Sequence, residues 1–399
     1  MKILLISQNF YPEIGSGANR FKDLYQQLSR VYDVDMLTTD PSYPNMKMYN
    51  DEKYWDDEGL NASDNIIRIP MKNNKQSKNL YIRSLYYLEL AYKVRYFIKR
   101  YQKEYDVIYV TSPNIFVPWA TFFGHKQNDS VLKVLDVRDL WPDSVKEIDK
   151  IKIDRIYPLL KYLERLMYKK ADKIVINNEG FRAHISEQQP EKPILYLPNS
   201  FNADEIAFCE AGNDFQVIYT GNIGLAQSYD QLLEVANRLE DEKVDFNIIG
   251  YGAHAHSFKE YIQENNFKYV RVFDEKTREE CLELIRQHNV QLSLLKQSEV
   301  FMNVLPGKVI DGIGSGIPVV TNLGGYTNTL INNNAVGIAI EKASTEEIVD
   351  AIIKIRDDHA IEARYRENSR DLLKKEFIWE NNIRKLSRFI EMGNEHSSV

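Results

Sequence analysis

Cysteine is nearly absent: the 399 residues hold only Cys209 and Cys281. That excludes a disulfide framework and a cysteine-rich zinc site, and it fits a reducing compartment. Long apolar runs are missing as well. The opening run Ile3-Leu4-Leu5-Ile6 is too short for a signal-peptide core, and no stretch approaches the roughly 18–20 residues of a spanning helix. A cytoplasmic chain, at most attached to a membrane surface, is expected. There is no excess of basic charge, since 51 Lys and Arg stand against 58 Asp and Glu, a net −7. Nucleic acid is thereby disfavoured as a partner. No metal centre is expected either. Asp33-Val34-Asp35 sits in a predicted strand, and His254 and His256 have no further ligands nearby. What remains is an ordinary globular composition, 43% apolar and 27% charged.

Short apolar segments alternate with helical patterns through the whole chain, which implies parallel sheets covered on both faces. In the first half, strands are expected at 2–7, 34–37, 66–69, 107–111, 132–136, 173–176 and 194–197, with a long helix over 80–103. Residues 40–65 are polar and rich in Asn and Asp, and read as a long loop. A second cycle begins after about residue 212, with strands at 216–220, 245–250, 269–272, 290–295, 317–320 and 336–340. Helices are expected at 228–239, 277–287 and 307–315, and Asn199 to Asp214 reads as a polar linker. The architecture expected is α/β, with two Rossmann-like domains facing each other across a cleft.

Two segments carry chemistry. The loop Pro12-Glu13-Ile14-Gly15-Ser16-Gly17 follows the first strand and precedes a helix. Its glycines let backbone approach an anion at the helix N-terminus, although a tight packing turn reads equally well. It is not the dinucleotide fingerprint, because position 20 is Arg, so a dinucleotide oxidoreductase is a weak reading. The second segment runs from Asn303-Val304-Leu305-Pro306-Gly307-Lys308 through Asp311 to Gly316-Ile317-Pro318-Val319. Pro306 suits a helix start, and Lys308 and Asp311 share a helix face. One cation and one carboxylate there suit a phosphate and a sugar hydroxyl pair. The bland alternative is an i,i+3 salt bridge on a surface helix.

This second segment resembles the P-S-K-x-x-E-x-x-A-x-G-x-P-V signature of family 4 glycosyltransferases of the GT-B fold, which transfer a sugar from a nucleotide diphosphate with retention. Four further segments match in family order: the start K-I-L-L-I-S-Q-N-F-Y-P-E, then Asp136-Val137-Arg138-Asp139-Leu140-Trp141-Pro142-Asp143, then Leu197-Pro198-Asn199-Ser200, then Tyr219-Thr220-Gly221-Asn222-Ile223-Gly224. The version with D-L-W-P is most similar to amino-sugar transferases of bacterial surface polysaccharide synthesis. The resemblance implies an N-terminal acceptor domain over 1–200, a nucleotide-sugar domain over 201–375 and a helical tail over 376–399 returning to the first domain. It implies that Lys308 neutralises the departing diphosphate and that Asp311 accepts the ribose hydroxyls. Gly15, Gly17, Asn199, Gly221 and Asn222 lie by the donor phosphates or the acceptor. Asn303, Val304 and Leu305 contact the donor sugar and phosphates, and Tyr251, Gly252 and Phe273 lie near the base. Arg138 and Asp139 stand where many members carry a His-Asp pair. No cofactor beyond the UDP-sugar substrate is implied, and no metal.

Residues 71–103 hold nine Lys or Arg (72, 75, 78, 83, 93, 95, 99, 100, 103) against one acid, Glu89, interleaved with tyrosines. Helix 72–103 therefore reads as resting on the anionic inner face of the cytoplasmic membrane, or else as an ordinary solvated helix. With membrane contact, the acceptor is a lipid-linked saccharide in capsule, O-antigen or related synthesis. Two other readings stay open: an epimerase-like GT-B enzyme, which needs no acceptor, and a non-catalytic GT-B partner subunit.

Overall fold

The computed structural model describes residues 1–73, 75, 80–112, 114–123, 130–147, 153–210, 212 and 214–392. The chain divides into two units, Met1–Pro198 with Trp379–Val399, and Asn199–Ile378.

In the first unit the order is β1 (Lys2–Ile6), α1 (Ser16–Ser29), β2 (Asp33–Thr39), α2 (Glu58–Asn61), β3 (Ile66–Ile69), α3 (Leu80–Tyr101), β4 (Val107–Thr111), α4 (Phe116–Phe122), β5 (Leu132–Val137), α5 (Asp143–Lys146), α6 (Tyr157–Lys170), β6 (Lys173–Ile176), α7 (Arg182–Gln188) and β7 (Ile194–Tyr196). The second unit holds β8 (Gln216–Asn222), α8 (Tyr229–Asp241), β9 (Asp245–Tyr251), α9 (Ala255–Glu264), β10 (Val270–Phe273), α10 (Arg278–Arg286), β11 (Val290–Ser293), α11 (Glu299–Met302), α12 (Gly307–Gly314), β12 (Val319–Thr321), α13 (Gly325–Asn333), β13 (Gly337–Ala339), α14 (Thr345–Asp357) and α15 (His359–Glu376). Helix α16 (Trp379–Glu391) then joins the first unit.

Among the described residues the first sheet runs β3-β2-β1-β4-β5-β6-β7 and the second β10-β9-β8-β11-β12-β13, with every pairing parallel. Both are doubly wound: the order reverses at β1/β4 in one and at β8/β11 in the other. Ligands of such sheets bind at the carboxyl ends of the strands at that reversal. The strands read as near-continuous apolar runs because helices cover both faces; Ile3, Leu4 and Leu5 of β1 and Val217, Ile218 and Tyr219 of β8 are fully buried.

Helix α16 returns for a definable reason. Trp379, Ile383, Leu386 and Ile390 recur at helical spacing and pack with Phe21, Leu24 and Leu28 of α1. The Trp379 indole N–H donates to Asp23 Oδ2 at 2.8 Å.

Two expectations need correction. Residues 40–65 are not an unstructured loop: short 3-10 turns over Met46–Asn50 and Glu52–Tyr54 precede α2. Glu13, buried, anchors this segment by accepting the Ser42 and Tyr43 amides at 2.7 and 2.9 Å. The expected linker after Asn199 is likewise part of the second unit. Phe201 is fully buried and bridges to Ile378, and Ala203–Glu205 forms a capped 3-10 turn. Residues 211 and 213 of that segment lie outside the described residues.

Candidate functional site

In the second unit, the residues singled out gather at the carboxyl end of β8, next to the strand-order reversal. Gly221 turns the chain there at φ 106°, and the Tyr219 hydroxyl donates to the Asn222 carbonyl at 2.8 Å. Asn222 pairs in register with Tyr251 at the end of β9, and Gly252 follows at φ 107°. A Cβ on Gly252 would collide with Asn222 Oδ1, and one on Gly224 would lie 2.6 Å from Asn222 Nδ2. The two glycines thus make room for the Asn222 amide, whose Oδ1 is buried with no hydrogen-bond partner among the described residues.

Lys308 comes to the same place from the first turn of α12. Its Nζ lies 3.7 Å from the centroid of the Tyr219 ring. The ammonium is buried and makes no hydrogen bond among the described residues. Burial pushes its pKa down to about 7, against the opposing pull of Asp311. The ring face recovers part of the lost hydration, since cation–π contacts contribute about 0.5–2 kcal/mol. At the helix start Pro306 has no N–H to offer, its carbonyl takes the Val309 amide at 3.1 Å, and the Gly307 and Lys308 amides have no carbonyl within the helix to bond. A buried cation beside a helix N-terminus suits an anion.

The i,i+3 salt bridge that the spacing allowed does not form. Asp311 Oδ1 instead takes Arg278 Nη1 at 3.2 Å, and Arg278 Nε lies 2.6 Å from Glu205 Oε1. Burial pushes the Asp311 carboxyl above its ordinary range, while Arg278 pulls it down. Asn303 donates from Nδ2 to the Glu299 carbonyl at 3.0 Å, and its Oδ1 occupies the place a Cβ on Gly325 would need. The Val304 carbonyl accepts the Thr327 hydroxyl at 2.6 Å, and Leu305 is buried. Asn199 opens the unit, and Phe273 ends β10 exposed, apart from the Lys308 group in sequence and strand order.

The first unit builds its own constellation at β1/β4. Gly15, at φ 129°, caps α1. Gly17 lies against Arg138: a Cβ there would collide with the guanidinium. Arg138 Nε donates to Thr111 Oγ1 at 2.8 Å and to the Ser112 carbonyl at 3.1 Å, which places it at the end of β4. Burial raises the neighbouring Asp139 to about 6, although the Ser144 hydroxyl donates to it at 2.8 Å. Arg20, which breaks the glycine fingerprint, is fully buried and pairs bidentately with Asp136 at 2.8 and 3.2 Å. Its Nη1 donates to the Leu197 carbonyl at 2.9 Å, so the wide side chain at position 20 ties α1 to β5 and to the end of β7.

Three site features escaped the sequence reading. Arg278 and Glu205 carry no motif, and nothing local links them to Asp311. Lys75 is not part of a basic face: it is buried and donates to Glu13 at 2.6 Å and to Asn9 at 3.1 Å. Residues 74 and 76–79, including Lys78, lie outside the described residues. Lys93 pairs with Glu89 at 2.6 Å. Asp33 and Asp35 flank Lys2 at 3.6 and 3.2 Å, His254 lies tilted against the Tyr229 ring, and His256 pairs with Glu260.

Residues 204–372 match the family model of glycosyl transferases group 1. A putative colanic acid biosynthesis glycosyl transferase of Escherichia coli K12, WcaI, is 21% identical over 375 residues, 88% of this chain and 91% of the relative. Among solved structures, the sucrose-phosphate synthase of Thermosynechococcus elongatus superposes with TM-score 0.75 at 15% identity, covering 97% of this chain and 98% of that one. HepE of Anabaena, solved with UDP and glucose, superposes with TM-score 0.69 at 13% identity, over 98% and 99%. The fold is therefore GT-B, built of two Rossmann-like units. The family model and the relative matched along most of its length support a glycosyltransferase.

Proposed function

We propose that this glycosyltransferase is a retaining, metal-independent member of family 4. On this reading it moves an N-acetylated amino sugar from a UDP-sugar to a lipid-linked saccharide during surface polysaccharide synthesis. The observation that carries the reading is the buried Lys308 ammonium, held over Tyr219 with no hydrogen-bond acceptor among the described residues. A cation in that state is stabilised by an arriving polyanion far more than a solvated lysine is. A UDP-bound structural neighbour and a relative named for colanic acid biosynthesis support the donor class and the setting.

Departure of a nucleotide diphosphate builds negative charge on the leaving oxygen. Lys308 and the Gly307 and Lys308 amides at the start of α12 neutralise it, and because they are fixed by packing they need little reorganisation. The Asn222 amide lines the phosphates, and Asp311 takes the ribose hydroxyls. A front-face reaction needs no protein nucleophile, since the leaving phosphate oxygen accepts the acceptor proton. In the first unit, Arg138 beneath Gly17 offers its guanidinium to an acceptor phosphate, and Asp139 stands beside it.

Membrane attachment is the second half of the proposal. Among the described residues, six of the eleven exposed large apolar side chains lie in or next to two helices: Leu88, Tyr92 and Tyr96 on α3, and Ile156, Leu159 and Tyr162 at the start of α6. Helix α4 packs against both. Exposed cations accompany them, Arg95, Lys99 and Arg100 on α3 and Arg165, Lys169 and Lys170 on α6. That combination favours an anionic bilayer. No described helix is long and apolar enough to cross one.

The test is nucleotide release from UDP- and GDP-sugars in EDTA, with and without a lipid-diphosphate-sugar acceptor. Acceptor-dependent UDP release that collapses in Lys308→Ala is expected. Release without acceptor, or turnover indifferent to Lys308→Ala, would refute the reading.

A further inference from the structure

Asp311 is one methylene shorter in reach than the glutamate of the family signature, so its placement matters more. The structure supplies a device for that placement. Arg278, the first residue of α10, is held on three sides. Its Nε lies 2.6 Å from Glu205 Oε1, its guanidinium sits 5.2 Å from the Phe201 ring centroid, and its Nη1 reaches Asp311 Oδ1 at 3.2 Å. Each holder is itself fixed. Asn202 N–H donates to Glu205 Oε2 at 2.9 Å, and Arg286 donates to the Glu205 carbonyl. Phe201 is fully buried and packs so closely on α12 that a Cβ on Gly314 would collide with its ring. Thr277 and Glu280 form a capping box that sets the start of α10.

The consequence is directional. Arg278 occupies Oδ1 of Asp311, and Oδ2 makes no hydrogen bond among the described residues. We infer that Arg278 is a positioning residue for ribose recognition: it fixes the Asp311 rotamer and keeps the carboxylate charged, so that Oδ2 is presented to a vicinal diol. This rests on the proposed nucleoside-diphosphate site, and it assigns to that site a residue pair, Arg278 and Glu205, that does not itself touch the nucleotide.

Calorimetric titration of the full chain with UDP, 2′-deoxy-UDP and inorganic pyrophosphate separates the possibilities. The wild type is expected to prefer UDP over 2′-deoxy-UDP by roughly tenfold to a hundredfold, the range of a hydrogen bond to a charged group. Asp311→Asn should abolish most of that preference. Arg278→Gln should do so as well while leaving pyrophosphate affinity within about twofold, and Arg278→Lys, which keeps one charged contact, should fall between. A pH series supplies a readout that simple loss of packing would not move. The charged and titratable groups around Asp311 are Arg278 and Cys281 on α10, Glu205, and Lys308 on its own helix. Weakening Arg278 leaves burial and Glu205 opposed mainly by Lys308, so in Arg278→Lys, which keeps part of the preference, the acid-side loss of that preference should move to higher pH. An Arg278→Gln protein that still discriminates like the wild type overturns the inference. Asp311→Asn with full discrimination, or a wild type with none, refutes instead the ribose role of Asp311, and the inference with it.

Discussion

Replacing Lys308 by Met removes the charge and keeps the length and apolar stem of the side chain. In the free protein the lysine titrates near 7 rather than 10.5. That difference corresponds to about 5 kcal/mol as an upper bound on the cost of holding the ammonium in place. The sign follows from linkage. A lysine whose folded pKa lies below its unfolded value penalises folding while it must stay charged. The penalty is full below about pH 7 and fades as pH rises toward 10.5. Lys308→Met should therefore melt higher than the wild type at pH 6, by a few degrees for a net gain of about 2 kcal/mol once the lost ring contact is discounted. The gain should vanish near pH 10. Ligand binding runs the other way. A bound pyrophosphate restores the ammonium, so affinity for a UDP-sugar, which has no titrating phosphate in this range, should be flat below pH 7. It should weaken up to tenfold per unit above pH 7. Calorimetry from pH 6 to 9 without acceptor, paired with thermal melts, reads both. A flat wild-type profile, a slope that survives in Lys308→Met, or a variant that melts lower at pH 6 would each refute the reasoning.

Further expectations concern the first unit. Arg20→Ala strands the buried Asp136 carboxylate and should cost about 3–5 kcal/mol in denaturant unfolding, whereas Arg20→Met with Asp136→Leu should cost much less; a single-variant loss under about 1 kcal/mol would contradict the pair's burial. Gly17→Ala forces Arg138 to move, and because sub-ångström placement governs transfer, kcat should fall roughly a hundredfold with little change in melting temperature. Replacing Arg95, Lys99 and Arg100 together by Ser should weaken binding to phosphatidylglycerol vesicles by about a hundredfold, from roughly 1 kcal/mol per cation, with sedimentation as the assay; equal binding to neutral vesicles would exclude the electrostatic face.

The alternation of strands and helices was legible because burial imposes its period locally. Fully buried strands read as short apolar runs, and α16 shows its face in the spacing of Trp379, Ile383, Leu386 and Ile390. The Lys308 segment was legible for a similar reason. A proline, a cation and a glycine exit around one short helix are neighbours in sequence and in space. Residues 40–65 were not legible, because their order comes from Glu13, a carboxylate on another loop that accepts their amides.

Partner choice marks where the sequence by itself stops. It determined two doubly wound halves, the glycine loop, and a lysine and an aspartate on one helix, since each rests on short-range spacing or on hydrophobic period. It did not determine what those side chains meet. Lys75 looked like surface charge and is buried on Glu13, 62 positions away. Arg20 looked like a defect in a motif and is the buried partner of Asp136, 116 positions away. Asp311 looked like the partner of Lys308 and belongs to Arg278, 33 positions away, which leaves the lysine over a tyrosine ring. Strand order decides these pairings. Only the folded sheet brings β1, β4 and β5 side by side, or sets α10 against α12. A charge taken out of water then takes the partner within a few ångströms rather than the one nearest in sequence.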